Sequence, residues 1–222
     1  MSLKRKIITT GDGSKTIQIE DWDEQYHSKH GAIQEAYHVF IEHGLRLFKN
    51  DQIHILEIGF GTGLNAFITF LEGQKQQLKI DYVGVEAFPV LMDEVNALDY
   101  CAQLNANNHR QVFKKMHQSP WEVSASISED FSLLKQKKDF REVNDANLFN
   151  LVYFDAFGAR VQPELWTEEI FEKMFKTLKK EGVLVTYAAK GSVRRALQAV
   201  GFTVERLPGP PGKREMLRGV KK

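Results

Sequence analysis

The residues with the clearest chemical potential lie in one short segment, 57–65, which reads Glu-Ile-Gly-Phe-Gly-Thr-Gly-Leu-Asn. An apolar run over 53–58 leads into it, and a helical pattern begins at Leu64. Glycines between a strand and a helix allow positive φ and a close approach of the backbone to a ligand. The helix N-terminus adds unpaired N–H groups that face that ligand. The segment therefore predicts a turn that holds a nucleotide-like cofactor.

Two cofactors suit such a turn. Gly61, Gly63 and Ala66 match the G-x-G-x-x-A fingerprint of dinucleotide-binding folds. Glu57 favours S-adenosylmethionine, because an acid in this slot suits an ammonium group and would repel a pyrophosphate. Glu86, which ends the next predicted strand, is placed to accept hydrogen bonds from a ribose of either cofactor. A glycine-rich turn without any ligand remains the alternative.

A third acid, Asp155, follows the apolar run 151–154, and Phe157 stands two residues later. Methyltransferases that act on amines often carry an acid or amide and an aromatic residue here. A carboxylate at this point can orient the amine and help to remove its proton, while the aromatic ring can flank a flat substrate. The alternatives are a turn or helix-cap role for Asp155 and simple core packing for Phe157.

Alternating strand and helix patterns must position these three acids. Strands are predicted at 53–58, 80–86, 111–116, 151–154 and 182–188, and helices at 64–72, 90–104, 129–138, 164–179 and 192–200. Segments 203–206 and 216–220 complete the chain as antiparallel strands. This order predicts a doubly wound α/β fold, a mostly parallel sheet with an antiparallel C-terminal edge. Ligands bind beyond the carboxyl ends of such strands, so the three acids are expected to meet there.

The first fifty residues follow another pattern. Strands predicted at 7–10 and 16–20 flank Gly-Asp-Gly, which is a hairpin signal, and a helix is predicted around 32–48. We therefore expect an N-terminal extension over 1–50 that covers the cofactor, and a main domain over 51–222.

Composition restricts the class of protein. The chain has 222 residues, 42% of them hydrophobic, and a single cysteine, so no intrachain disulfide can form. It shows neither a signal-peptide pattern nor a long apolar run, and the cytoplasm is the expected location. Nine basic and two acidic residues lie within 190–222. Such a segment favours a polyanion such as RNA, with an ordinary solvated surface as the alternative.

The chain resembles the methyltransferase domain of the tRNA 5-methylaminomethyl-2-thiouridine biosynthesis protein MnmC. The resemblance covers most of the sequence and includes the blocks 26–28, 57–65, 86–89, 155–157 and 213–216, of which the last is the most distinctive. It implies a Rossmann-like class I fold and methylation of the 5-aminomethyl group on the wobble (2-thio)uridine of tRNA. It also implies a separate oxidoreductase as a partner that supplies the aminomethyl intermediate. A small-molecule amine methyltransferase, an aminopropyltransferase-like enzyme and a non-catalytic RNA-binding or partner-binding module stay open as alternatives.

The resemblance also assigns roles by position. The residues implied to bind S-adenosylmethionine are Glu57, Gly59, Phe60, Gly61, Thr62, Gly63 and Asn65 around the methionine part, Glu86 at the ribose and Asp130 at the adenine, with Glu129 as a competitor for that last role. Asp155 and Phe157 are implied to face the substrate amine. Candidates for phosphate contacts with tRNA are Arg194, Arg195, Lys213 and Arg214.

Overall fold

The computed structural model describes residues 4–49 and 52–222. Its strands are β1 (Arg5–Thr9), β2 (Lys15–Ile19), β3 (Glu24–Gln25), β4 (Gln52–Ile58), β5 (Lys79–Val85), β6 (Ala125–Ser128), β7 (Phe131–Gln136), β8 (Phe149–Phe154), β9 (Leu178–Thr186), β10 (Thr203–Pro208) and β11 (Glu215–Val220). Its helices are α1 (Ala32–Ala36), which continues as a π-helix (Tyr37–Glu42), α2 (Leu64–Gln76), α3 (Met92–Ala97), α4 (Tyr100–Gln103), α5 (Arg110–Gln118), α6 (Glu168–Thr177) and α7 (Gly191–Ala199).

The main sheet has the strand order β10-β11-β9-β8-β4-β5-β7-β6. Strands β9, β8, β4, β5 and β7 run parallel, while β11 is inserted antiparallel between β9 and β10, and β6 pairs antiparallel with β7. The fold predicted from the sequence is thus confirmed. The chain leaves β4 towards β5 and later returns to β8 on the other side, so a crevice opens beyond the carboxyl end of β4.

Continuous apolar strands place the core on both faces of this sheet. In β8, Leu151 and Tyr153 pack in the cluster that includes α2, whereas Val152 and Phe154 pack in the cluster that includes α6. Side chains alternate between faces along a strand, so a strand buried on both faces needs an unbroken apolar run. This explains why β8, with its apolar run over 151–154, could be recognised in the sequence.

The third parallel strand lies elsewhere than predicted. Residues 111–116 belong to helix α5, and β7 occupies the segment 129–138 that was predicted as a helix. In α5 the buried residues are Phe113 and Met116, three apart, which is a helical spacing. In β7 every second residue is buried, including Lys135, whose polar character obscured the alternation. The predicted helix 90–104 is also interrupted, between α3 and α4.

Residues 4–49 share the core of the main domain. The predicted hairpin is present as β1 and β2, with β3 added to form a three-stranded antiparallel sheet. Ile17 and Phe40 belong to the same buried cluster as Tyr153 of β8. The proposed boundary between 50 and 51 lies outside the described residues. Among those described, no helix is both long and apolar enough to cross a membrane.

The placement of β7 can be tested by paired substitutions. We expect Leu133→Ala to lower the free energy of unfolding by about 2–5 kcal/mol, because Leu133 is fully buried. Leu134→Ala, on the half-exposed face of the same strand, should cost clearly less. Urea unfolding of both variants measures the difference, and equal losses would contradict the register described here.

Candidate active site

The glycine-rich loop after β4 requires its glycines. Gly59, Gly61 and Gly63 have φ of +94°, +46° and +71°, values that L side chains rarely adopt. A Cβ on Gly59 would lie 2.5 Å from the carbonyl oxygen of Asp155, and one on Gly61 would lie 2.8 Å from the ring of Tyr26. The loop is therefore packed between the end of β8 and the N-terminal extension.

A cavity of about 340 Å³ opens beside this loop. This is the size range of small-molecule sites. Its walls come from the N-terminal extension, from the segments after β4, β5, β7, β8 and β9, and from the β10–β11 loop. The sequence-predicted residues that line it are Gly59, Phe60, Gly61, Thr62, Glu86, Asp155, Phe157 and Lys213.

Glu86 links the ends of β4 and β5. Its Oε2 accepts a hydrogen bond from the N–H of Gly61 at 3.0 Å, and its Oε1 accepts one from the N–H of Phe88 at 2.8 Å. Burial raises the pKa of Glu86, and these backbone donors oppose that shift. Each carboxylate oxygen can accept a further bond, so Glu86 can fix the loop and still receive a hydroxyl from the cavity.

Asn65 and Glu57 lie behind the loop instead of lining the cavity. The Asn65 Nδ2 donates to Glu57 Oε1 at 2.9 Å and to Asp155 Oδ2 at 2.8 Å. The other Glu57 oxygen accepts a hydrogen bond from the Tyr82 hydroxyl at 2.9 Å. Glu57 is fully buried, so the structure does not place its carboxylate where the sequence suggested, against a methionine ammonium. Its geometry instead orients Asn65, which in turn orients Asp155.

Asp155 has the environment of a proton acceptor. Burial, followed by the charge of Glu35, raises the pKa of Asp155 to about 7, against the opposing effects of the Asn65 hydrogen bond and of Lys213. A carboxyl group with a pKa near neutrality can exchange a proton at physiological pH. The side chain lines the cavity, where a substrate can reach it.

Aromatic rings form the wall next to Asp155. Phe157 meets Tyr26 and Trp22 edge-on, with ring centroids 4.9 and 5.6 Å apart. The Tyr187 hydroxyl donates to the carbonyl of Ala156 at 2.8 Å. Phe157 thus packs against the N-terminal extension and also lines the cavity.

Asp130 is not at the site, and its predicted adenine contact is wrong. It precedes β7, where its carbonyl accepts a hydrogen bond from Ile80 at the start of β5, so it lies at the amino edge of the sheet. The prediction failed because the third strand was placed too early in the chain. The acid that follows the carboxyl end of β7 is Asp139, which lines the cavity together with Phe140.

The four basic candidates lie in three different environments. Lys213 lines the cavity and pairs with Glu35. Arg195 and Arg214 are exposed near the same edge of the sheet, on α7 and just before β11. Arg194 is half-buried, and its Nε has no hydrogen-bond partner.

The lining residues Tyr26, Glu35, Asp139 and Tyr187 received no role from the sequence. Tyr187 and Asp139 follow the carboxyl ends of β9 and β7, and that position could have indicated a role.

Comparison with known proteins identifies the class. A family model described as S-adenosyl-L-methionine-dependent methyltransferase matches residues 103–222, more than half of the chain. The chain belongs to this family.

Individual relatives show to which members of this class the chain is similar. The chain is 29% identical to the tRNA 5-methylaminomethyl-2-thiouridine biosynthesis bifunctional protein MnmC of Actinobacillus pleuropneumoniae, over 95% of this chain and 34% of that protein. It is 30% identical to the MnmC protein of Leptospira borgpetersenii, over 89% of this chain and 32% of that protein. The crystal structure of MnmC2 from Aquifex aeolicus superposes with a TM-score of 0.82 and 26% identity, over all of this chain and 71% of that one. The chain thus spans about a third of the length of these curated relatives.

The cavity fits the cofactor of this family. The glycine loop lines the cavity with residues 59–62, and Glu86 reaches it from the end of β5. A cation is compatible with the acidic lining, whereas a pyrophosphate would be repelled by it.

The burial of Asp155 implies a dependence of stability on pH. An acid with a raised folded-state pKa holds its proton in the folded state when the unfolded state has lost it, so its contribution to stability falls as pH rises from about 4 to 7. Asp155→Asn removes this effect. We expect the free energy of unfolding of the variant, relative to that of wild type, to rise by roughly 2 kcal/mol between pH 5 and pH 8. Chemical denaturation across that range measures the gain, and parallel pH profiles would contradict it.

Proposed function

We propose that the chain methylates the 5-aminomethyl group on the wobble (2-thio)uridine of tRNA. The observation that carries this proposal is the Asp155 carboxylate, which is held by Asn65 in a cavity lined by the glycine loop, Glu86 and Phe157. The relatives named above, which this chain resembles over about nine-tenths of its length, are biosynthetic proteins of the corresponding methylated nucleoside.

The residues that would hold S-adenosylmethionine are the loop 59–62, which would surround the methionine part, and Glu86, which would accept the ribose hydroxyls. Asp139 and Phe140 replace Asp130 as candidates for the adenine side. When bound, this cofactor supplies a methyl group activated by a sulfonium sulfur.

The chain's own residues then have two tasks. Asp155 accepts a hydrogen bond or a proton from the substrate amine, because only the neutral amine has a free lone pair. Phe157 and Tyr187 exclude water and restrict the orientation of the flat base. Such positioning can supply much of the rate of a displacement, up to ~7–11 kcal/mol in favourable cases.

Exposed cations outside the cavity would hold the rest of the tRNA. Arg195 and Arg214 lie near the edge of the sheet where the cavity opens, and Arg194 adds a half-buried guanidinium beside them. Contacts with phosphates make affinity fall steeply with salt. A separate oxidoreductase that supplies the aminomethyl intermediate is part of the proposal.

The direct test uses purified chain, S-adenosylmethionine and tRNA that carries the 5-aminomethyl intermediate. Mass spectrometry of the digested tRNA should show gain of one methyl group on that nucleoside, together with salt-dependent tRNA binding. Rapid methylation of free small amines without tRNA binding would favour a small-molecule methyltransferase, and no product from correctly hypomodified tRNA would refute the proposal.

Substitutions at Asp155 and Glu86 should separate turnover from cofactor affinity. We expect Asp155→Asn to lower the single-turnover rate by about 10²–10⁴-fold while cofactor binding changes little. Glu86→Ala should instead weaken cofactor binding by about 10–100-fold, because it removes a charged acceptor and loosens Gly61. Calorimetry and rapid-quench assays measure the two effects, and the reverse pattern would overturn the assignment of roles.

A further inference from the structure

Lys213 enters the cavity because of the loop before it. Its N–H donates to the carbonyl of Pro210 at 2.9 Å, and the N–H of Gly209 donates to the carbonyl of Arg214 at 3.1 Å. These bonds close a tight turn from which consecutive side chains diverge. Lys213 lines the cavity, whereas Arg214 is exposed. Lys213 is thus separated from the exposed cations with which the sequence grouped it.

The Lys213 ammonium is fixed by two partners. Its Nζ lies 2.5 Å from Glu35 Oε2 and 3.8 Å from the centroid of the Tyr187 ring. Glu35 is itself held, since its Oε1 accepts a hydrogen bond from the N–H of Ser28 at 3.1 Å and its side chain is only 8% exposed. Such a geometry leaves the ammonium little freedom to follow an RNA phosphate.

The Lys213 ammonium also affects the protonation of Asp155. Asp155 and Lys213 line the same cavity, together with Glu35 from α1 and Tyr187 after β9. On its other side Asp155 accepts a hydrogen bond from Asn65 of α2, which also donates to Glu57 of β4, the acceptor of the Tyr82 hydroxyl of β5. Burial, followed by the charge of Glu35, disfavours the charged form of Asp155, whereas the Asn65 hydrogen bond and the positive charge of Lys213 favour it.

We propose that Lys213, held by Glu35, is a positioning residue of the acceptor site that favours the negatively charged form of Asp155, the form that can take the proton of the substrate amine. This inference rests on the proposed function. In the step it supports, an N–H bond of the substrate ammonium breaks and an O–H bond forms on Asp155. The nearby cation also disfavours an ammonium at the same place, so both effects favour the neutral, nucleophilic amine.

The test is the pH dependence of kcat/KM for methylation of tRNA by Lys213→Met. The acidic limb of this profile reports the pKa of the essential base in the free enzyme. Loss of a nearby opposite charge should move that limb upward by about one pH unit. Activity should therefore fall about tenfold at pH 6 and lie within about twofold of wild type at pH 9. Lys213→Arg, which retains the charge, should restore most of the wild-type profile.

Two further variants separate the effect of the Lys213 charge from other effects of the substitution. The double variant Glu35→Gln with Lys213→Met removes both opposing charges, so its acidic limb should move back towards that of wild type. Lys180→Met makes the same chemical change at an exposed lysine in the amino-terminal half of β9 and should leave the profile unchanged. Thermal unfolding establishes that each variant is folded. If Lys213→Met alone does not fold, the double variant and Lys213→Arg carry the comparison.

If Lys213→Met instead lowers kcat/KM equally at all pH values, with a higher KM for tRNA and a shallower salt dependence of tRNA binding, the proposal is overturned. Lys213 would then be a phosphate contact, as the sequence suggested. If wild type methylates no tRNA, the proposed function fails separately. The titration of the Asp155 carboxyl carbon by ¹³C NMR then still decides the charge effect, because it needs no substrate. A midpoint that does not rise in Lys213→Met would refute it.

Discussion

The site depends on one side-chain amide. Asn65, in the first turn of α2, donates both of its N–H groups, one to Glu57 in β4 and one to Asp155 after β8. It thereby fixes two adjacent strand ends and the loop that joins β4 to α2. Two buried carboxyl groups would otherwise face each other without a shared donor, which is costly in a low-dielectric interior. The position of the cavity and the orientation of Asp155 both follow from this bridge.

The N-terminal extension completes the site. Tyr26 packs against Gly61, and Glu35 pairs with Lys213, which lines the cavity. The Arg160 guanidinium donates to the carbonyls of Trp22 and Asp23, which ties the extension to the loop after β8. Without these contacts the acceptor side of the cavity would be open to water, which weakens every electrostatic interaction inside it.

Sequence patterns revealed the parts of the fold that are buried on both faces. Strand β8 carries an unbroken apolar run over 151–154, β4 is largely apolar, and the glycine loop has a recognisable spacing, so Glu86 and Asp155 could be placed from the sequence. The third strand could not, because Lys135 is buried where an apolar residue was expected and its Nζ bonds a backbone carbonyl. That error led to Asp130 instead of Asp139. The inward position of Lys213 depends on a turn and on Glu35, 178 residues away, which no local pattern encodes.

The most direct measurement is nucleoside analysis of tRNA from cells of the source organism that lack this chain. The account predicts loss of the methylaminomethyl nucleoside and accumulation of its aminomethyl precursor, with recovery when the wild-type chain, but not Asp155→Asn, is restored. An unchanged nucleoside profile in the deletion, or full recovery with Asp155→Asn, would contradict it.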